Sequence, residues 1–298
     1  MLWLVIAMLA AGCTSMTTIL AKMGIKDVNS NFATAFRTGI VILCSLVLCL
    51  ITGNIKTIGT LNFENYLFLI LSGLATGCSW LCYYRALKLG DINKVAPIDK
   101  SSFILTSILF LIFFFNSTTN NGDPLTIVML IVAMLLMLLG TFLMIAKRPG
   151  ENKVSKKWLI YAILSAVFAS AVALFVKLGL KGIASDVGTL IRTMVVLVFA
   201  WAIVLGRKDY QGTRKISPKS WIFLALSGLA TGGAWLLEYY ALNMEGVNPI
   251  AVNSIGKLSI LLTMLFSFVI LKEKFSKKSL WGLALLTAGI VIIIIFSL

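Results

Sequence analysis

The chain has 298 residues, 59% of them hydrophobic, and a mean hydropathy of +0.99, which excludes a soluble two-domain protein of ordinary composition. Its 26 cations against 11 carboxylates give a formal charge of +15. In a soluble protein that would point to nucleic acid, but here the cations sit mostly in short loops, where anionic lipid headgroups are the economical partner and no nucleic acid is expected.

Runs of about 20 mostly apolar residues are long enough, at ~1.5 Å per residue, to cross a hydrocarbon core of roughly 30 Å. They predict an all-α integral membrane protein with ten spans: 2–20, 32–52, 66–87, 94–115, 124–146, 158–176, 186–206, 220–242, 248–271 and 279–297. The runs are continuously apolar rather than alternating, which excludes a closed β-barrel; helices are the other way to satisfy every backbone group in lipid. The first run, MLWLVIAMLAAGC, has the outline of a signal peptide ending in a lipoprotein-like cysteine. No Lys or Arg precedes it, however, and Ala10 stands where such a site has a larger aliphatic residue, so it is read as a span. The second span carries Arg37. The third holds LSGLATGCSWLCYYRAL, Leu71–Leu87, in which Cys78 and Cys82 share a helix face; packing is their expected role, ahead of redox or metal chemistry. The fourth contains VAPIDKSS, where Pro97 precedes Asp99 and Lys100, and a structural kink is as open a reading there as a binding role.

The second half repeats the first. LSGLATGGAWLLEYYAL, Leu226–Leu242, restates the phrase at Leu71–Leu87 at an offset of 155, and the same offset aligns KMGIK with KLGLK and Arg37-Thr38 with Arg192-Thr193. After a two-residue insertion Lys100 aligns with Lys257 and Thr106 with Thr263. The domains are therefore expected to be two five-helix repeats, 1–149 and 150–298, around a central cavity. An odd number of spans per half requires the second copy to be inverted, a transporter signature because each half can close the pathway on one side. Loop cations divide 18 against three, the three being Lys56, Lys177 and Lys181. The positive-inside rule puts the richer side in the cytoplasm and both termini outside.

The tandem SGLATG phrases, the Arg early in the second helix of each half, and the ending LKEKFSKKSLWGLALLTAGIVI resemble the EamA family of the drug/metabolite transporter superfamily, over essentially the whole chain. The resemblance implies ten helices in two inverted five-helix repeats, a cavity formed by the first four helices of each half, and a peripheral fifth helix available for homodimerisation. It also implies cytoplasmic termini, opposite to the loop charges, and the first half lacks the acidic loop that the second keeps at Glu273.

An ionisable group within a span is costly, so its default reading is functional. Lys257 lies about ten residues, roughly 15 Å, into the ninth span, where snorkelling is hardest. Glu238 lies several residues before the end of the eighth, and the two form the expected substrate or coupling pair, with a structural ion pair as the alternative. Trp235, Tyr239, Trp80 and Tyr84 are read either as cavity walls for a small amphiphile or as interfacial belts. Asn253, in NPIAVNSIGK, and Asp99 and Lys100 complete the substrate-binding candidates. Arg37 and Arg192 are placed by the inversion on opposite sides of the membrane, and bracing two gates is their expected role, with Arg85 beside the inner one. The glycines of SGLATG are assigned to close helix packing, since no GK[ST] follows to make a phosphate loop.

The expected function is secondary-active transport, most naturally export, of a small polar or amphiphilic metabolite, amino-acid-like, by alternating access across the cell membrane. With no histidine in the chain and no metal or cofactor expected, Glu238 and Asp99 are the natural proton carriers if transport is proton-coupled. Efflux of organic cations and a non-transporting membrane scaffold are the alternatives. An enzyme is not expected, because no acid/base or nucleophile pair appears at suitable spacing.

Overall fold

The computed structural model describes residues 2–25, 28–89, 95, 98, 101–144, 157–210, 216–271 and 276–297. Their regular elements are all helical. The main ones are α1 (Leu2–Gly24), α2 (Ser30–Thr52), α3 (Phe63–Leu89), α4 (Ser102–Phe113), α5 (Pro124–Met144), α6 (Lys157–Gly179), α7 (Ser185–Arg207), α8 (Pro218–Asn243), α9 (Pro249–Gly256), α10 (Leu258–Leu271) and α11 (Lys277–Ile295). With α9 and the start of α10 taken as one span, nine helices among the described residues are long and apolar enough to cross a membrane, and Ser102–Phe113 is a shorter apolar helix within the fourth predicted span, 94–115.

Local chemistry fixes the helix ends. Asn29, Ser217, Asn248 and Ser276 each accept a hydrogen bond from a first-turn N–H, and Pro218 and Pro249 open their helices where a missing N–H is harmless. Gly53, at φ 74°, ends α2 in the left-handed conformation that glycine adopts without strain. Asp123 caps α5: its Oδ2 accepts from the hydroxyl (2.6 Å) and N–H (2.8 Å) of Thr126, and these bonds hold its carboxyl below the usual range.

The ninth span, Pro249–Phe266, is long and apolar enough to cross as one helix but carries one irregular residue: α9 stops at Gly256 and α10 begins at Leu258, with Lys257 between them in right-handed helical conformation (φ −73°, ψ −16°). The Lys257 N–H turns back to the Ser254 carbonyl at 2.9 Å, the Lys257 carbonyl accepts from Ile260 N–H at 3.0 Å, and the helix restarts. Pro249, in the first turn of α9, starts that helix rather than kinking it. Pro97 lies outside the described residues.

The two halves are interleaved. The first helix of each half packs on the third of the other, α1 on α8 and α6 on α3, and the second helices, α2 and α7, pack on each other. Glycines mark the closest approaches and follow the repeat. A Cβ on Gly73 would stand 2.6 Å from Val195, and one on Gly228 would stand 2.8 Å from Ile40, an equivalent pair at the same offset. Helices α5 and α11 touch backbone to backbone at Gly140 and Gly282. They run antiparallel, since Met137 meets Gly289 while Met144 accepts from Ser279 Oγ at 3.2 Å. Repeat mates that pack antiparallel at α2/α7 and α5/α11 place the pseudo-two-fold axis in the membrane plane, through both seams. The fold is thus an inverted repeat.

Lipid explains the outer surface, where Ile51, Val198, Val269 and Trp281 are all highly exposed. Inside, hydroxyls of Thr38, Ser45, Thr106 and Thr193 return to carbonyls four residues back, which lets polar side chains pack without an unmet donor. The face carrying both chain ends, called here the terminal face, is tied by side chains onto helix ends. Asn65 Nδ2 donates to Gly179 and Lys181 carbonyls, both at 2.9 Å, and Lys177 Nζ donates to the Leu242 carbonyl. Asn65 is only 4% exposed. Asn65→Ala strands the carbonyl at the end of α6, and a loss of about 1–3 kcal/mol is expected, read as a lower unfolding midpoint in detergent with helix content unchanged.

Candidate functional site

Two adjacent voids lie within the bundle. The larger, about 250 Å³, is bordered by hydroxyl and charged groups, among them Thr14, Ser102, Thr141, Glu238, Lys257 and Ser259. The smaller, about 100 Å³, is bordered by Phe110, Ala169, Val172, Ala173, Val176 and Leu242, with Tyr239 at its edge. Glu238 and Asn253 line both, so they stand at the waist between a polar lobe and an apolar one. The small lobe reaches toward the terminal face along the last turn of α8. The large one reaches toward the opposite, basic face, as far as Thr141 near the end of α5. Met137, Thr141 and Leu286 bring both fifth helices into the wall. The cavity is therefore not enclosed by the first four helices of each half alone.

Glu238 is carried by α8, five residues before its end, and Lys257 lies at the α9/α10 break, where the interrupted helix brings it to the same lobe. The charges of Lys257 and Arg192 both act on Glu238. Arg192, on α7, is only 3% exposed. Its guanidinium stacks on Trp235 (4.6 Å to the ring centroid) and Tyr239 (5.4 Å), and its Nη2 donates to Thr76 Oγ1 at 2.9 Å. Its Nε and Nη1, and the amide Nδ2 of Asn253, are buried and have no hydrogen-bond partner among the described residues. Of these, Asn253 lines both lobes, and a buried donor left open at a cavity wall is where a ligand's acceptor atom gains most.

Arg37 repeats part of this geometry: its Nη2 donates to Thr231 Oγ1 at 2.9 Å. Arg37 and Arg192 are repeat mates, and so are Thr231 and Thr76, so each arginine reaches into the SGLATG segment of the other half. Close packing is the first role that the sequence suggests for that segment, and the structure adds a hydrogen-bonding one through Thr76 and Thr231. Its equal spacing with the arginines was the available signal for the pairing.

Other candidates lie elsewhere. Trp80 packs with Phe32, Ala35, Ala200, Val204 and Ile216 at the seam of α2 and α7, and lines neither lobe. Arg85 is exposed near the end of α3. Asp99 and Lys100 lie outside the described residues, as does the side chain of Tyr84. The apolar lobe was missed altogether, because Ala169, Val172, Ala173 and Val176 read in sequence as ordinary span residues. All five cysteines are free thiols.

An inverted helical repeat around a central chamber with charged groups in its wall is the architecture of a membrane transporter. The chain belongs to the EamA-like transporter family, whose model matches residues 1–143 and 156–295. A Sinorhizobium protein named as an uncharacterized transporter in the cobO 3' region is 39% identical over 143 residues, 48% of this chain and 100% of that protein. A solved crystal structure at 16% identity superposes with a TM-score of 0.76 over 99% of this chain and 98% of its own, a likeness of fold. These similarities point to transport rather than enzymatic chemistry.

Proposed function

We propose that the protein is a secondary-active exporter of a small amphiphilic metabolite that carries both charges, an α-amino acid with an apolar side chain being the best fit, and that it works by alternating access. The single observation behind this reading is the waist. Glu238 and Lys257 offer opposite charges to one polar lobe, and a small apolar lobe opens directly beside them. An ammonium on Glu238, a carboxylate near Lys257 and Asn253 Nδ2, and a hydrocarbon group between Val172 and Val176 would use every wall of the chamber. The loop charges support a cytoplasmic basic face and an external terminal face in the cell membrane.

Efflux of organic cations is the second reading, favoured by Glu238 amid Trp235 and Tyr239. A bare cation, however, leaves Lys257 without use in the same lobe.

Thermal-shift measurements on detergent-solubilised protein with amino acids, nucleosides and quaternary amines separate the two. Apolar amino acids are expected to raise the midpoint of wild type but not of Glu238→Gln. In vesicles, Glu238→Gln and Lys257→Met are each expected to lower flux at least about tenfold, the equivalent of one charge-assisted hydrogen bond. Unchanged flux in both variants would remove the pair from the site, and stabilisation by quaternary amines alone would favour the second reading.

A further inference from the structure

The α2/α7 seam is fastened at both ends, and one amide–carboxylate pair in each fastening is related to the other by the repeat. At the terminal face, Asp186 accepts from Thr52 Oγ1 at 2.7 Å and from Asn54 Nδ2 at 3.0 and 3.2 Å. At the basic face, Asp209 accepts from Asn31 Nδ2 at 2.7 Å and from Asn29 Nδ2 at 2.9 Å. Asn31 and Asp186 are repeat mates at the offset of 155, and so are Asn54 and Asp209. Each face thus has one carboxylate at an end of α7 held by an amide at an end of α2, and the pseudo-two-fold axis, which passes through this seam, exchanges these two pairs, while Thr52 and Asn29 each add a bond of their own.

The terminal-face fastening borders an open pocket on that face. Thr52, Asn54 and Asp186 line a vestibule of about 510 Å³ whose other wall is Tyr240 and Asn243, on the last turns of the helix that carries Glu238. Six residues further along α7 from Asp186, Arg192 stacks on Trp235 and Tyr239 of that same helix. The vestibule, its fastening and the chamber are therefore joined through α7 and α8.

We propose that Asp186 and Asp209 are opposed gate latches: the Asp186 set holds the terminal-face mouth shut, the Asp209 set holds the basic-face mouth shut, and the structure with both fastened is the occluded state. Symmetry supplies the direction of the effect. A state with one end of the seam parted has an inverted counterpart with the other end parted, so loosening one latch raises the share of molecules open to that face alone. A clamp that only holds the fold together would have no such sign. The proposal goes beyond the substrate reading and needs only that the chamber is a pathway.

The test is the accessibility of one reporter thiol. Thr14→Cys faces the large lobe, and it is placed in a chain whose five native cysteines are replaced by alanine. Labelling by a membrane-impermeant maleimide is then followed in vesicles of either orientation, without substrate. Asp186→Ala is expected to speed labelling from the terminal face about tenfold and slow it from the basic face, and Asp209→Ala is expected to do the reverse. If either aspartate variant fails to fold, Asn54→Ala and Asn31→Ala remove matched donors, leave both carboxylates in place, and are expected to shift labelling in the same opposite senses. Shifts in one common direction, or none in any folded variant, overturn the latches. Because no solute is present, that failure is distinct from a failure of the transport measurements.

Discussion

Gly140→Val is expected to abolish the folded protein, leaving aggregated or degraded material where wild type gives a monodisperse peak in detergent. The Cβ position at Gly140 is 2.5 Å from the Gly282 carbonyl oxygen and 2.7 Å from the Leu286 backbone nitrogen, and the reciprocal position at Gly282 is 2.6 Å from the Gly140 carbonyl. These obstacles are backbone atoms, which cannot rotate away as the end of a side chain can. The two helices must therefore separate, and α5 and α11 are the seam through which one end of the pseudo-two-fold axis passes. Between lipid-embedded helices no water is released on contact, so the association rests on close packing of surfaces such as this one. Overpacking an ordinary core costs about 1–3 kcal/mol, and separating two backbones along a whole seam costs more. Gly39→Val is the control: a Cβ there meets nothing within 4 Å, and wild-type behaviour is expected. A folded Gly140→Val protein with an unchanged midpoint would show that the seam is not held by backbone contact.

Ten spans, the repeat and its inversion were legible in the sequence because each rests on a property that lipid imposes directly. A helix must be apolar for its full length, and the repeat phrases keep an offset of 155 up to the two-residue insertion before Lys100. Helix ends were legible to within a few residues wherever a cap or proline stood, as at Pro218 and Pro124. The break at Lys257 was not, since Gly256 is the one poor helix former in IGKLS and a lone glycine is tolerated within a span; the interruption arises where a charged residue is brought to a chamber wall built with five other helices. Glu238 and Lys257 could be picked out because charge is expensive in a span. The apolar lobe could not, because an alanine or valine beside a cavity has the same letter as one facing lipid. Trp80 and Trp235 share a repeat position, yet one joins an aromatic cluster at the α2/α7 seam and the other takes the Arg192 guanidinium. The two copies therefore do not keep equivalent surroundings, and one sequence phrase cannot reveal which copy takes which partner. The Asn and Asp latches show the converse: Asn31 and Asp186 differ in letter and were not matched as mates, while their pairing geometry is conserved by the axis.

Arg192 carries the other large expected effect, and its size can be divided by substitution. Arg192→Ala removes a buried cation that stacks on two rings, bonds Thr76 and acts on the Glu238 carboxylate. Deleting one member of a buried charged set costs about 3–5 kcal/mol, because the remaining charge loses its compensation in a medium that cannot solvate it. Arg192→Lys keeps the charge opposite Glu238 but loses the flat face, and with it roughly 0.5–2 kcal/mol of ring contact for each desolvated stack. The expected order of unfolding midpoints is therefore wild type, then Arg192→Lys, then Arg192→Ala. The double substitution Arg192→Ala/Glu238→Gln is expected to recover part of the loss, since the stranded carboxylate goes with its partner. If Arg192 were only a packing strut between α7 and α8, lysine and alanine would be equally damaging and the second substitution would add to the first. A rescue by Glu238→Gln would instead tie the gate side of α7 to the charge in the chamber, the connection through which an occupant at Glu238 is felt at Asp186.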